Sequence, residues 1–312
     1  MKTFLFDTDK NVQKEELYQY QPKDKSASAF IGRICVNEFD PSQFMVETHE
    51  EQHKSFMIKK REAYLNFPNV ARQYDALDSC FISQQQIAIL ASPTEIHLQK
   101  VTGNDKKQIL RLSDKMQILR LFSSRNEFEL LIATSASVLR YDLNGGKVLG
   151  QAEVEEGADI RQVVLSRNHI ALCGKNVILV TNNELEVICS IREKFTIRSG
   201  FWERENLLFY TTKNHWKYCL MNGETGVLKT LDEPMHLVKK LDATKFLAFN
   251  ETKKVFEVEC PEYLDLEFKL AVQNKEWKRV EDMVKHKLGK QKKNLVAYLV
   301  NKGLSAAAVD LA

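Results

Sequence analysis

Residues 160–231 read IRQVVLSRNHIALCGKNVILVTNNELEVICSIREKFTIRSGFWERENLLFYTTKNHWKYCLMNGETGVLKTL. Short apolar runs recur along this stretch at Val163–Leu165, Ile170–Cys173, Val177–Val180, Val187–Ile191, Gly200–Trp202, Leu207–Tyr210, Trp216–Leu220 and Val227–Leu231. Turn-forming residues separate them, among them Arg167-Asn168, Gly174-Lys175-Asn176, Asn182-Asn183, Lys213-Asn214 and Asn222-Gly223. Runs this short do not make ordinary helices. Short strands at a spacing of about ten residues mark an all-β sandwich, barrel or propeller.

The same spacing extends toward the N-terminus. Cys80–Ser83, Ile87–Ala91, Glu95–Lys100 and Ile109–Leu112 form one group of strand-like runs. Ile118–Phe122, Glu129–Ala133, Val138–Asp142 and Lys147–Gln151 form another, with Asn144-Gly145-Gly146 as a hairpin signal because it accepts positive φ. Groups of roughly four strands repeating at roughly forty residues have the period of a propeller blade. So many short strands exceed one sandwich, and no group carries the Gly-His or Trp-Asp signature of ordinary WD repeats. The expected fold is mainly β, a degenerate WD-type β-propeller. Residues 1–30 read as an opening strand at Phe4-Leu5-Phe6 and a linker, and residues 30–58 as strands joined by hairpins.

Beyond His236–Lys240, Lys245–Asn250 and Lys253–Val258 the period changes. Apolar residues in Glu267–Val284 and Asn294–Lys302 fall at helical steps. Gly303 is placed as a helix C-terminal glycine, and Ser305 as the N-cap of Ala306–Leu311. Antiparallel helix pairs of this kind normally stack into a solenoid. The expected organisation is an opening strand and linker at 1–30, the propeller at 31–260 and the start of an α-solenoid at 261–312. A chain that stops inside a helix suggests that a longer protein continues past Ala312.

Composition bounds the function. The 312 residues hold 45 basic and 42 acidic side chains, a net charge of +3 that gives no case for a general nucleic-acid binder. No apolar run is long enough to span a bilayer, and Asp7 interrupts the N-terminus before any signal-peptide core. Cys35, Cys80, Cys173, Cys189, Cys219 and Cys260 are scattered and include no CxxC, which fits reduced, buried thiols in a cytosolic protein.

Few motifs carry chemistry. His49-Glu50-Glu51-Gln52-His53 satisfies HExxH, which on a helix would offer two zinc ligands and a general base. Its charged flanks instead suit a loop or surface strand. The run Lys285–Lys293 could touch an anionic surface but suits a solvated turn after a helix, where positive charge complements the macrodipole. Trp216, Trp202 and Trp277 read as core residues, with His215 exposed or satisfied. Asn250-Glu251-Thr252 matches a glycosylation sequon that a cytosolic chain would not use. There is no GxGxxG, Walker-type loop or GxSxG. No catalytic, cofactor-binding or metal-binding residue is therefore assigned, and an enzyme is not expected.

The segments Ile178-Leu179-Val180, Cys189-Ser190-Ile191-Arg192-Glu193 and Ile197–Trp202 resemble the alpha-subunit family of coatomer, the COPI vesicle coat. Tyr210–Tyr218 and Gly226–Asp232 strengthen the resemblance. Phe268–Val272, Val296–Leu299 and Lys302-Gly303 continue it into the helices. It implies the second of two propellers and the first turns of an α-solenoid, without the propeller that reads dilysine sorting signals. No cargo-binding residue is therefore carried over. The implied role is a non-enzymatic coat scaffold in Golgi-to-ER and intra-Golgi transport, cytoplasmic and peripheral on Golgi and vesicle membranes. The implied partners are other coatomer subunits, beta-prime first, with no cofactor, nucleic acid or small-molecule substrate. The beta-prime subunit itself, another propeller–solenoid scaffold and a zinc peptidase built on HEEQH are the alternatives.

Overall fold

The structure, a computed structural model, describes residues 76–101, 105–113, 116–252, 254–261, 263–287 and 292–311, and before residue 76 the backbone course of six strands. Two of these, β1 (Lys2–Leu5) and β2 (Glu15–Gln19), pair antiparallel. The reading of residues 1–30 as an opening strand and a linker lacks β2, whose EELYQ carries too few apolar residues to show a period.

Five antiparallel sheets of four strands follow. The first holds β3 (Ala29–Val36), β4 (Phe44–Glu50), β5 (Lys60–Phe67) and β6 (Val70–Asp75). The second holds β7 (Asp78–Phe81), β8 (Gln86–Ser92), β9 (Glu95–Lys100) and β10 (Lys106–Arg111). The third holds β11 (Ile118–Ser123), β12 (Glu129–Thr134), β13 (Ser137–Asp142) and β14 (Lys147–Glu153). In the fourth are β15 (Gln162–Leu165), β16 (His169–Cys173), β17 (Val177–Asn182) and β18 (Val187–Arg192). In the fifth are β19 (Ser199–Arg204), β20 (Leu207–Thr211), β21 (His215–Leu220) and β22 (Thr225–Thr230). A three-stranded sheet, β23 (Met235–Lys240), β24 (Lys245–Asn250) and β25 (Val255–Glu259), completes the β part.

Within each four-stranded sheet the strands pair in sequence order, as meanders do. The first strands of neighbouring sheets lie side by side, β7 against β11, β15 against β19 and β19 against β23, so the sheets radiate as propeller blades. Burial follows from that packing. β16 and β17 are almost wholly buried because blades cover both their faces, whereas the outermost β18 is mostly exposed. Continuous apolar runs in the middle strands are what two-sided burial requires. One apolar cluster joins Leu131, Ala133 and Val138 to Leu172, Val177 and Leu179 across two blades. Another joins Ala171, Ile178 and Val180 to Leu208 and Tyr210 across the next pair.

Hydrogen bonds complete the blade contacts. Ser199 Oγ donates to Thr211 Oγ1 at 2.8 Å, since the Thr211 proton goes to the Met235 carbonyl, and accepts from the Leu237 amide at 2.8 Å. Thr211 Oγ1 donates to the Met235 carbonyl at 2.8 Å. Trp202 Nε1 donates to the Val164 carbonyl at 2.9 Å, and the Leu121 amide donates to Asp78 Oδ2 at 2.6 Å. Buried backbone groups at blade seams need such partners. Cys80 is buried, Cys173, Cys219 and Cys260 are free and buried, and Cys189 is free and half-buried. Burial alone pushes the Cys173 thiol up to about 12. At the hairpin between β13 and β14, Gly146 takes φ 62° and its amide donates to the Asp142 carbonyl at 2.9 Å.

Helices α1 (Leu264–Gln273), α2 (Trp277–Asp282), α3 (Lys292–Asn301) and α4 (Ser305–Leu311) follow the last sheet, with a π-helical turn at Met283–Lys287 after α2. Helix α1 ends with Lys275 at φ 59° and α3 with Gly303 at φ 73°. Both ends bond alike: Glu276 N to Ala271 O and Lys275 N to Val272 O, then Leu304 N to Leu299 O and Gly303 N to Val300 O. This is the Schellman pattern. Ser305 opens α4 rather than preceding it, since the Ala308 amide already donates to Leu304 O. No described helix is long and apolar enough to cross a membrane.

Candidate functional site

The chain changes architecture once, where the β-sheets are joined to the helices. Helix α1 makes that joint. Leu266 and Leu270, one turn apart on the same face, enter an apolar cluster with Phe209, Trp216 and Phe246 of the last two sheets. Five aromatic rings surround this contact: Phe246 lies 5.2 Å from Trp216 and 5.6 Å from Phe201, and Tyr263 meets Phe209 edge-on at 5.8 Å. On its other side α1 gives Phe268, Ala271 and Val272 to a cluster with Val280, Met283, Leu295, Leu299 and Ala308. At about 1.5–3 kcal/mol for each fully buried large apolar side chain, α1 is held strongly on both faces.

Two carboxylates reinforce the joint. Glu224, in the turn between β21 and β22, accepts from Lys269 Nζ of α1 at 2.7 Å, Lys302 Nζ at 2.9 Å and Tyr298 OH of α3 at 3.1 Å. Lys269 Nζ also donates to Tyr218 OH at 3.1 Å and lies 5.3 Å from the Tyr298 ring centre. Burial pushes the Glu224 carboxyl up, but the hydrogen bonds and charges of Lys269 and Lys302 outweigh it and hold it below the usual carboxylate range. Burial likewise depresses the Lys269 ammonium, and its bonds to Glu224 and Tyr218 overcome this and raise it. Glu267 of α1 is the second hub, accepting from Arg204 Nη2 of β19 at 2.6 Å and from Arg279 of α2. Asn206 Nδ2 donates to Asn274 Oδ1 at 2.8 Å beside it.

The residues singled out from sequence fall elsewhere. β4 carries the backbone through His49 and Glu50 as extended chain, whereas HExxH chemistry requires a helix; Glu51, Gln52 and His53 lie outside the described residues. No group of three or more His, Cys, Asp or Glu among the described residues is placed to hold a metal. In the basic run, Lys285 pairs with Glu281 at 3.9 Å and His286 with Asp282 at 3.8 Å, both highly exposed, while residues 288–291 lie outside the described residues. Trp216 is fully buried, its neighbour His215 half-buried, and Trp202 half-buried. Trp277 is 37% exposed and is no core residue: as the first residue of α2 it lies where Val280 and Met283 take the buried face. The sequon residue Asn250 is buried, donating to Glu233 and accepting from Thr252 Oγ1 at 2.7 Å and the Lys254 amide at 2.9 Å. Glu224 and Glu267 were not legible beforehand, because a lone Glu in a turn or on a helix carries no motif.

Radiating blades bonded through α1 to a run of helices define a propeller-based scaffold. The family described as COPA/B second beta-propeller matches residues 3–250, and the chain belongs to that family. It is 30% identical over 241 residues to a putative coatomer subunit alpha of Schizosaccharomyces pombe, covering 75% of this chain and 19% of that protein. It is also 30% identical over 233 residues to coatomer subunit alpha-2 of Arabidopsis thaliana, covering 73% of this chain and 18% of that one. The chain thus spans about a fifth of the length of these relatives. Among solved structures it resembles BamB from Moraxella catarrhalis with a TM-score of 0.53 at 7% identity, covering 80% of this chain and 89% of that one, a likeness of fold alone.

Proposed function

We propose that the chain is a structural, non-enzymatic element of the COPI coat, equivalent to the second propeller region of an alpha-type coatomer subunit. It acts in Golgi-to-ER retrograde and intra-Golgi vesicle transport. Its partners are other coatomer subunits, beta-prime first. It is cytoplasmic and reaches Golgi and vesicle membranes peripherally, through the assembled coat. Residues 261–312 are the first turns of a solenoid, residues 31–260 the propeller and residues 1–30 its lead-in.

The observation that carries this reading is the family match over residues 3–250, taken with a joint that fixes the helices to the blades through Glu224, Glu267 and the α1 apolar face. A part built to transmit position rather than to transform a substrate needs such a joint. Affinity capture of the tagged full chain, co-expressed with the remaining coat subunits, is expected to recover beta-prime coatomer. A well-folded chain that recovers no coat subunit overturns the proposal.

A further inference from the structure

Four successive sheets repeat one step where their innermost strands begin: a buried apolar residue, then an arginine or histidine. The pairs are Ile118 with Arg120, Ile160 with Arg161, Ile197 with Arg198, and Met235 with His236. In the first pair a bulge between Ile118 and Arg120 takes up Leu119, so Arg120 still pairs in the ladder, opposite Ala133. Equivalent positions on radiating blades converge, and the three arginines and His236 line one cavity of about 240 Å³ together with Gln162 and Thr196.

Their charges are incompletely answered. Arg161 Nε donates to Asp159 Oδ2 at 2.7 Å, and Arg198 Nη2 pairs with Glu251 at 2.7 Å. Neither carboxylate lines the cavity. Arg198 Nε is buried without a hydrogen-bond partner. The Arg120 side chain makes no ion pair or hydrogen bond among the described residues. His236 stacks flat on Phe249 at 4.6 Å, and burial holds its imidazole below the ordinary value, so at neutral pH the ring adds a polar wall rather than a charge.

A buried guanidinium N–H without an acceptor is costly, and an incoming anion would satisfy it. All three permanent charges are arginines, whose planar forks match oxyanions. Donors that approach from separate blades suit a tetrahedral group, which accepts in several directions, better than a planar carboxylate. We propose that this cavity binds a phosphate group, free or borne on a small molecule or lipid headgroup. Arg120 and Arg198 supply the principal donors and Arg161 a third charge.

The test titrates inorganic phosphate and pyrophosphate into the full chain by calorimetry at low ionic strength, with acetate as the planar comparison. Saturable pyrophosphate binding is expected, with acetate far weaker. Arg120→Ala and Arg198→Ala should each weaken binding about ten- to a hundredfold. Arg198→Lys, which keeps the charge but loses the fork, should fall between. Arg192→Ala, on an exposed outer strand, should leave binding unchanged. Circular dichroism checks each fold, and Arg120→Ala carries the test if Arg198→Ala does not fold. No saturation, acetate equal to pyrophosphate, or equal losses in Arg120→Ala and Arg192→Ala would overturn the proposal. Sedimentation with vesicles containing a phosphoinositide separates the sources. Pelleting that is lost in Arg120→Ala assigns a headgroup; pyrophosphate binding without pelleting assigns a soluble phosphate.

Discussion

The seam between the fourth and fifth blades and the seam between blades and helices mix the same materials in different proportions. Across the first run a large apolar cluster, neutral hydrogen bonds such as Trp202 Nε1 to the Val164 carbonyl, and one largely buried ion pair, Lys217 with Glu193. Across the second, an apolar face is flanked by two charged hubs, Glu224 with Lys269 and Lys302, and Glu267 with Arg204 and Arg279. A largely buried pair is screened little, whereas partly exposed pairs such as those of Lys302, Arg204 and Arg279 respond to salt and pH. The blades are thus the steadier frame, and the helical joint is the part that solution conditions loosen first.

The largest effect should come where the packing of the fifth blade on the last sheet shares a cluster with the helical joint. Phe246 is buried against Phe209 and Trp216 in the cluster that also takes Leu266 and Leu270, so Phe246→Ala should cost about 3–5 kcal/mol. Urea denaturation should show blades and helices loosening together; release of the helices alone would mean the contrast is deeper than drawn. Glu224→Gln should cost about 1–3 kcal/mol, because the half-buried Lys269 ammonium and the more exposed Lys302 lose their shared counter-charge. Limited proteolysis should then cut α1–α4 first while the blades stay intact. Equal sensitivity of the blades would break the comparison.

Acid provides a gentler version of the same cut. The folded Glu224 carboxyl lies below its ordinary value of 4.5, so its stabilisation is fully present above that pH and is lost as pH falls through the lowered folded value. Hydrogen exchange should show the helices losing protection first below about pH 4.5. Glu129 offers an internal control. Its bond to Arg140 also lowers it, but it sits at a blade seam backed by a large apolar cluster, so protection there should persist longer. The smallest expected effect is at Lys275, a side-chain-bearing residue at positive φ where α3 uses Gly303. Lys275→Gly should stabilise by about 1 kcal/mol, seen as a small rise in Tm, and a fall would mean the lysine makes a contact that outweighs its backbone strain.

Strands of the middle blades were legible because two-sided burial writes a period into the chain; every apolar run from Val163 to Leu231 lies on or across one of β15–β22. The hairpin at Gly146 was legible because positive φ selects glycine. β2 was hidden by its polar composition, and the exposure of Trp277 by the assumption that a large aromatic on a helix packs inward. The helical joint was illegible for a different reason. Glu224 meets Tyr298 across 74 residues of sequence, and nothing local marks either one. The cationic cavity lies between: the step from Ile160 to Arg161, repeated from Ile197 to Arg198, is visible in sequence, but only the radial arrangement brings the arginines together.

Helix α1 has apolar residues committed on two sides, Leu266 and Leu270 to the blades and Phe268, Ala271 and Val272 to the other helices. Mechanically, this leaves no soft pivot at either end of α1. Bending at the blade–α1 boundary would peel away one packed face and the Lys269–Glu224 and Arg204–Glu267 pairs. Bending just past α1, at Asn274–Glu276, would part the other packed face, the Arg279–Glu267 pair and the bonds of Tyr298 and Lys302 to Glu224. A load applied through α2–α4 is therefore handed on to the blades, with α1 as the rigid coupling between them.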